Sequence, residues 1–431
     1  MKSHNAERMS DRLGGCEASA LAASFGTPLL VIDEAVLRSR MGRFREAFVR
    51  GGWRASVTYA GKALLLAEIA RIANDEGLAV DVCSLGELET AARGGVPADH
   101  CIVHGCYKTE SELRAAVERR VRHVVVDHAD ELRALSSIAT ETRTVCDVLI
   151  RVNPSIAVTT HAAIHTSAPA SKFGFPIGDG QAMAAVRAAS TEAHLKFSGL
   201  HCHLGSQIDD ISTYVRAAQT LAELARAAYA AGIECEVLDL GGGLAAGTPA
   251  DKPSPAPEEW AGAIFASLEQ CFDGSPMRRP HVYVEPGRAL VADAGTTLYR
   301  VGVRKSLPDG TQALIVDGGM SDNPRPALYD ARYHAYIADR PDAQADGAYA
   351  VFGRHCETDR LIADAPLPDP KPGDLLAVRS TGAYTYAMAS NYNRFSRPAV
   401  VLARNGNARV IARREPLEHV VDLDVVSEHD A

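Results

Sequence analysis

The sequence lacks the features that mark several large classes of protein. Its nine cysteines include no Cys-x-x-Cys pair, and their odd number argues against a closed disulfide framework or a zinc ribbon. No apolar run of about 18 residues occurs, and the polar start has no apolar signal core. No basic cluster offsets the net charge of −9, so we expect neither nucleic acid nor a membrane surface as partner. These absences favour a soluble protein of the reducing cytoplasm.

Apolar material is plentiful, at 46% of the 431 residues, and this is typical of a folded globular chain. Short apolar runs alternate with amphipathic helical segments over most of the first 290 residues. Eight strand–helix units favour a parallel (β/α)8 barrel, although periodicity alone leaves a doubly wound open sheet as an alternative. The predicted strands are residues 56–60, 79–83, 101–104, 123–126, 147–152, 197–203, 237–240 and 282–285.

The rhythm changes after about residue 291, where β-like runs lie between Gly, Pro and Asp turns. We predict strands at 297–303, 313–316, 349–352, 375–378 and 399–403, and a mostly antiparallel β domain. The Pro-rich stretches 247–259 and 364–374 are expected to be loops, and the first 20 residues or so a loose extension. The predicted organisation is an extension with a first strand joining the β domain (1–33), the barrel (34–290) and the β domain (291–431).

Chemistry in such a barrel is expected at the carboxyl ends of the strands. The first predicted strand runs into Lys62, which is either a side chain reaching solvent or a Schiff-base lysine. The sixth ends in His201 and His203, which suggest a metal, a face for a flat cofactor ring or ordinary structural histidines. No third ligand motif accompanies them, so no metal is predicted.

The last two predicted strands add two further patches. Three glycines, Gly241, Gly242 and Gly243, permit backbone N–H groups to close on a phosphate, or form an ordinary turn. Glu285, followed closely by Arg288, is either half of a simple ion pair or a carboxylate that keeps a proton on a pyridine nitrogen.

These four patches occur in the order Tyr-Ala-Gly-Lys, His-x-His-Leu-Gly-Ser-Gln, Gly-Gly-Gly and Glu-Pro-Gly-Arg. In this order they resemble the fold-type III pyridoxal-phosphate decarboxylases, which pair an alanine-racemase-like barrel with a β domain. Further blocks are similar to the diaminopimelate decarboxylases, and the resemblance extends from about residue 26 to 424. The specific blocks are 325–329, 356–358, 382–384 and 388–393; those at 81–88, 171–174 and 317–324 accompany them.

The resemblance implies pyridoxal 5'-phosphate as cofactor and assigns roles by position. Lys62 forms the covalent bond to the cofactor, His203 stacks on its ring and Glu285 bonds the ring nitrogen. Asp81 supports the Lys62 side of the pocket, with Arg151 nearby. The phosphate is received by Ser206, Gly241, Gly242 and Gly243, with Gly287 and Arg288 beside them.

The same resemblance implies the substrate contacts and the assembly. Arg288, Arg325 and Tyr329 hold the carboxylate at the non-reacting end of an amino-acid substrate, Glu357 binds its distal amine, and Tyr384 touches cofactor and substrate. Cys356 donates the proton, and it reaches with Glu357 into the site of the other subunit. A homodimer with shared active sites is therefore expected.

Physical reasoning agrees with these roles. Loss of CO2 leaves a carbanion that a protonated pyridine delocalises, and the charge of Glu285 favours that protonated form. A racemase of this fold carries arginine at this position, so Glu285 favours decarboxylation. A thiol is a reasonable acid near neutral pH, although Cys356 by itself would be read as a structural thiol.

One departure from the resemblance concerns His104-Gly105-Cys106-Tyr107-Lys108, where many relatives read His-Gly-Asn-Asn-Lys.

The sequence leaves three hypotheses about function. The first is decarboxylation of meso-2,6-diaminopimelate to L-lysine and CO2, the last step of lysine biosynthesis. The second is a paralogue acting on another diamino acid or a carrier-bound substrate. The third is a catalytically silent cofactor-binding homologue, which the presence of Lys62, Cys356 and Glu357 disfavours.

Overall fold

The computed structural model describes residues 12–49, 52–157, 166–167, 170–247 and 254–426. Its strands are β1 Arg12–Leu13, β2 Cys16–Glu17, β3 Leu29–Asp33, β4 Ala55–Ala60, β5 Ala79–Val82, β6 Cys101–Val103, β7 His123–Val126, β8 Cys146–Asn153, β9 Phe175–Pro176, β10 Leu195–His201, β11 Val237–Asp239, β12 His281–Val284, β13 Gly295–Ser306, β14 Gln312–Val316, β15 Ala335–Ile337, β16 Gly347–Phe352, β17 Arg360–Leu367, β18 Leu375–Arg379, β19 Ala399–Arg404 and β20 Asn407–Ala412.

The helices are α1 Ala18–Phe25, α2 Glu34–Val49, α3 Ala67–Asp75, α4 Leu85–Arg93, α5 Glu110–Arg119, α6 Ala129–Thr142, α7 Gln181–Thr191, α8 Ser212–Ala230, α9 Pro257–Phe272, α10 Arg288–Val291, α11 Arg325–Tyr329 and α12 Leu417–Val421. Within the described residues the chain forms two compact units. The barrel unit comprises 38–246 and 254–290, and the sheet unit comprises 12–37, 247 and 291–426. No helix in the described ranges combines the length and apolar character that crossing a bilayer requires.

The barrel unit is a closed parallel barrel of eight strands. The order β4, β5, β6, β7, β8, β10, β11, β12 returns to β4, where Val282 lies opposite Ala55. Each strand matches one of the eight predicted runs, and the closure confirms the barrel and excludes the open sheet. Among the described strands, the short β9 pairs only with β8.

The helices of the barrel unit follow the expected periodicity. In α3 the buried positions Ile69, Ala70, Ile72 and Ala73 form one stripe, the pattern of a helix that packs one face on a sheet. Helix α5 begins with a capping box in which the Thr109 side chain accepts from the Glu112 N–H and Glu112 accepts from Thr109. Such packing and capping fix where each helix starts, and therefore where each preceding loop at the barrel mouth must end.

The sheet unit is mostly antiparallel, as predicted. Its central strand β13 pairs antiparallel with β3, β14 and β18, whereas β3–β19 and β14–β16 are parallel. Successive residues of β13 enter different cores, because side chains alternate across a strand. Leu298 packs in one cluster with Leu29 and Val401, and Tyr299 packs in the other with Leu314 and Val351.

Two predictions about loops are wrong in part. Residues 12–25 are not a loose extension: β1 pairs with β2, and α1 follows; residues 1–11 lie outside the described part. The Pro-rich stretch 364–374 starts inside a strand, since β17 continues to Leu367 and pairs with β16 through Ala365 and Pro366. An edge strand tolerates proline where its missing N–H would face outward. Most of the stretch 247–259 lies outside the described residues, and α9 begins at Pro257.

Candidate active site

The first strand of the barrel delivers Lys62 to the mouth. Strand β4 ends at Ala60, and a short 3-10 turn of residues 61–63 follows immediately. The Lys62 Nζ atom lies 3.5 Å from Oδ2 of the fully buried Asp81, which stands on β5 next to β4. Because the Lys62 side chain is 36% exposed, its amine is both held by a carboxylate and open to a ligand.

Glu285 lies deeper, directly after β12, and two histidines contact its carboxylate. His104 Nε2 is 2.8 Å from Oε1, and His201 Nε2 is 3.3 Å from Oε2. All three side chains are at least 94% buried. Such a burial of a carboxylate is tolerated only when polar partners replace the lost water.

The electrostatics of this cluster follow from burial and from the partners. Burial raises the pKa of the Glu285 carboxyl, but the two imidazoles outweigh burial and hold its pKa well below the ordinary value. Burial lowers the pKa of His201 to about 3, so this ring is neutral at pH 7. Asp239, on the neighbouring β11, has a pKa well above its ordinary value because of burial and then the charge of Glu285. Glu285 is therefore the group in this cluster that carries the negative charge.

The three glycines occupy positions where a side chain would be strained or would overlap backbone atoms. Gly241 and Gly243 have φ angles of +62° and +99°, a region that favours glycine. A Cβ atom on Gly242 would overlap the backbone carbonyl oxygen of Glu285, and one on Gly243 would overlap that of Gly205. The loop is fixed at its base, where the Gly241 N–H donates to Asp239 Oδ1 at 2.9 Å.

Polar donors gather close to this glycine loop. The Ser206 Oγ accepts from Arg288 Nη2 at 3.2 Å, and both residues follow barrel strands at the same end. Gly287 precedes Arg288, and a Cβ on it would approach the Ala60 carbonyl oxygen to 2.9 Å. A guanidinium, a hydroxyl and the backbone of a glycine loop form the kind of concavity that binds anions.

His203 and Arg151 border the same mouth, with contacts that the sequence did not predict. Strand β10 ends at His201, two residues before His203. His203 Nδ1 accepts from the Gly242 N–H at 3.2 Å, whereas His201 Nε2 contacts Glu285. Burial, then the charges of Lys62 and Arg151, lower the pKa of His203. Arg151 pairs with Asp127, Nη1 to Oδ2 at 3.2 Å, and its guanidinium lies 4.3 Å from the Phe173 ring centroid.

The barrel mouth fits pyridoxal phosphate by the chemistry of its groups. An aldehyde needs an amine, which Lys62 presents beside Asp81. A pyridine nitrogen needs an acid that stays charged, and Glu285 is buried with its charge maintained. A phosphate needs N–H donors and a cation, and the glycine loop lies near Ser206 and Arg288.

In the sheet unit, Arg325 opens α11 and is 5% exposed. Its guanidinium carbon lies 5.3 Å from the ring centroid of Tyr329 and 5.7 Å from that of Tyr384. Tyr384 has a φ of +58°, which is uncommon for tyrosine and typical of functional segments. Three predicted substrate residues are thus brought together in one cluster.

Cys356 and Glu357 form a second group in the sheet unit. Both are exposed, and they lie in the turn before β17. The Cys356 N–H donates to Asn393 Oδ1 at 3.3 Å, and the Tyr392 hydroxyl donates to Glu357 Oε1. The specific block 388–393 therefore fixes the segment that carries the thiol.

Sequence reasoning missed the residues that surround Glu285. His104 was considered only as part of a departure from relatives, and His201 only as a partner of His203; with Glu285 they place three potential metal-ligand atoms within 4.8 Å of one another. Their position could have identified them, because His201 is the last residue of β10 and His104 directly follows β6. In the departing segment, Tyr107 is 76% exposed, whereas Lys108 is buried with Glu131, Nζ to Oε1 at 2.6 Å.

Comparison with known proteins agrees with this geometry. The family model described as "Pyridoxal-dependent decarboxylase, pyridoxal binding domain" matches residues 34–292. The chain is 42% identical over 418 residues to the diaminopimelate decarboxylase of Bacillus subtilis, covering 96% of this chain and 94% of the relative. It is 43% identical over 423 residues to that of Actinosynnema pretiosum, covering 96% and 92%. A crystal structure of the M. jannaschii diaminopimelate decarboxylase with L-lysine superimposes with a TM-score of 0.90 at 33% identity, covering 96% and 95%.

Proposed function

We propose, because the chain belongs to the diaminopimelate decarboxylase family of pyridoxal-dependent decarboxylases, that it converts meso-2,6-diaminopimelate to L-lysine and CO2. The mouth of the barrel unit would hold pyridoxal phosphate. When bound, the cofactor supplies an electron sink for the carbanion left by decarboxylation. The residues of the chain provide the rest: binding, orientation and proton transfer.

The observation that carries the choice of substrate is the state of Arg325. Arg325 is 5% exposed. Its guanidinium lies near two tyrosine rings, and no carboxylate of the described residues forms an ion pair with it. Burying a cation without a partner costs free energy. This site therefore favours a ligand that brings an anionic group. Diaminopimelate carries a second carboxylate at its far end, whereas lysine and ornithine do not.

Different residues of the barrel unit would bind different parts of the cofactor. We assign the covalent bond to Lys62, with Asp81 keeping its amine in place, and the ring nitrogen to Glu285. His203 would lie against the ring, with Arg151 at the Lys62 side. The phosphate would be received by Ser206, Gly241, Gly242, Gly243, Gly287 and Arg288.

Residues of the sheet unit, with Arg288 of the barrel unit, would handle the substrate and the proton. We assign the distal carboxylate to Arg325 and Tyr329 with Arg288, the distal amine to Glu357, and a contact with cofactor and substrate to Tyr384. The exposed thiol of Cys356 would protonate the carbon that has lost CO2. General acids of this kind contribute roughly 10²–10⁴-fold to a rate.

A substrate panel tests the proposal, with CO2 release measured for meso-diaminopimelate, lysine and ornithine. We expect diaminopimelate to be preferred, and Arg325→Ala to lose its turnover mainly through KM. Arg340→Ala is the matched control, because that arginine of the same unit already pairs with Asp374 at 2.6 Å. Preference for lysine or ornithine, or wild-type kcat/KM in Arg325→Ala, would contradict the assignment.

We also propose a cytoplasmic homodimer with shared active sites. All nine cysteines are free thiols, which suits a reducing compartment. The exposure of Cys356 and Glu357 suits side chains that act on a second copy. Mixing Lys62→Ala with Cys356→Ala protein should restore about a quarter of the activity, since half of randomly re-paired dimers would contain one intact site of two. No restoration after proven subunit exchange would argue against shared sites.

A further inference from the structure

A chain of polar contacts connects the two cofactor-facing groups of the barrel. Lys62 Nζ lies 3.5 Å from Asp81 Oδ2, and Asp81 Oδ1 lies 3.9 Å from His104 Nε2. The same His104 nitrogen lies 2.8 Å from Glu285 Oε1. One imidazole thus stands between two buried carboxylates, one beside the amine and one at the other end of the contact chain.

The surroundings of His104 make this contact specific. His104 is 5% exposed and follows β6 directly. Its ring meets that of His201 edge-on, with centroids 5.0 Å apart, so the two rings contact different oxygens of the same carboxylate. Glu285 therefore has one imidazole on each oxygen, and the contact of His104 is the shorter one.

The backbone beyond His104 is also held in place. Lys108 Nζ donates to the Gly105 carbonyl oxygen at 2.9 Å and to that of Val125 at 2.7 Å, while it pairs with Glu131. This buried lysine fixes the loop that follows β6 and so limits the positions open to the His104 ring.

We propose that His104 is a positioning residue that orients the Glu285 carboxylate and keeps it charged for the pyridine nitrogen of the cofactor. This inference rests on the cofactor site of the proposed function and adds a residue to it. A carboxylate left without this partner would turn toward other donors or take up a proton, and either change would weaken its bond to a ring nitrogen. His104 would act through Glu285 and not by touching the substrate.

The test measures dissociation constants of the purified enzyme for two ring compounds. One is pyridoxal phosphate, and the other is its analogue with carbon in place of the ring nitrogen. His104→Leu should weaken binding of pyridoxal phosphate by about 10- to 100-fold, the cost of leaving one oxygen of a buried carboxylate without its nearest polar neighbour. Binding of the carbon analogue should change less than about twofold, because that ring offers Glu285 no nitrogen.

Three further variants keep the test decisive. His104→Gln retains a donor nitrogen of similar reach and should recover most of the affinity. His123→Leu removes another buried barrel histidine, one that opens β7 at the far end of the strands, and should change neither constant. If His104→Leu does not fold, His104→Asn, whose amide is too short to reach, replaces it.

Equal weakening for both rings would show that His104 merely supports the fold, and no weakening for either would show that Glu285 does not need it. Either result overturns the inference. The proposed function fails separately: a wild-type enzyme that binds pyridoxal phosphate but releases no CO2 from diaminopimelate would refute the substrate and leave the result for His104 intact.

Discussion

The two units hold their candidate residues in opposite ways. In the barrel unit, Lys62 and Glu285 lie just after strands, and each contacts a buried polar side chain: Asp81 for Lys62 and His104 for Glu285. In the sheet unit, Cys356 and Glu357 are exposed on a turn, and Arg325 is buried without a carboxylate partner among the described residues. A preorganised, charge-balanced pocket suits a resident cofactor, whereas unpaired or exposed groups suit a substrate that comes and goes.

From this contrast we infer that the barrel unit determines the reaction and that the sheet unit determines substrate selectivity. The barrel would set the reaction, because its groups match the cofactor whichever amino acid is bound. The sheet unit would determine which substrate binds, because the unpaired guanidinium of Arg325 favours a substrate with a second carboxylate. Changes in the barrel should therefore alter cofactor binding, whereas changes at Arg325, Cys356 or Glu357 of the sheet unit should leave it untouched.

The strongest test of that separation is Lys62→Ala. We expect turnover to fall by about 10⁴-fold or more, because the change removes the amine to which we assign the covalent bond with the cofactor. Reduction with borohydride followed by peptide mapping should find a pyridoxyl group at position 62 in the wild type only. A pyridoxyl adduct at another lysine would contradict the assignment of the cofactor to Lys62, and with it the proposed division of tasks between the two units.

Cys356→Ser tests the same division of tasks with a change in the sheet unit. We expect kcat to fall by about 10²–10⁴-fold, the range for loss of a general acid, with the dissociation constant for pyridoxal phosphate unchanged. Cys271→Ser is the control, a half-buried thiol of the barrel unit, and should behave as wild type. Weaker cofactor binding in Cys356→Ser would mean that the two units do not divide the work as proposed.

Asp359→Asn tests how the exposed groups of the sheet unit are positioned. Its carboxylate contacts buried His355, the neighbour of Cys356, and its Oδ1 accepts from the Met320 N–H at 2.8 Å. It thus connects the segment of the thiol to the segment that leads to Arg325. We expect kcat/KM to fall about tenfold, in line with losing one hydrogen bond to a charged group. Asp339→Asn, at an exposed carboxylate, should have no effect; equal kinetics for both variants would contradict this role.

Local pattern predicted the scaffold well. All eight barrel strands could be predicted from apolar runs, because strand burial and helix periodicity are local properties. The pairing of His104 and His201 with Glu285 could not be read, because it joins three strands across a closed barrel. The order within residues 12–25 was missed because α1 depends on a distant core, in which Leu21 packs with Leu298 and Val401.

The smallest expected effect concerns Asp322, a fully buried carboxyl of the sheet unit. Burial raises its pKa to about 7, although the Tyr299 hydroxyl and the Gly319 N–H donate to it. A folded-state pKa above the unfolded value means that its contribution to stability is complete below about pH 4 and is lost as the pH rises through about 7.

Asp322→Asn carries no proton to lose, so its stability should fall less than that of the wild type between pH 6 and pH 7, by about 1 kcal/mol. Urea unfolding at the two pH values measures the difference, and Asp364→Asn, at an exposed position, should follow the wild type. Because Asp322 lies in the sheet unit, cofactor binding should keep the same pH profile in the variant. If the wild type and Asp322→Asn lose stability in parallel, this carboxyl titrates normally and the prediction is wrong. If Asp322→Asn instead shifts the pH profile of pyridoxal phosphate binding, Asp322 affects the cofactor site of the barrel unit, and the proposed separation of the two units is wrong.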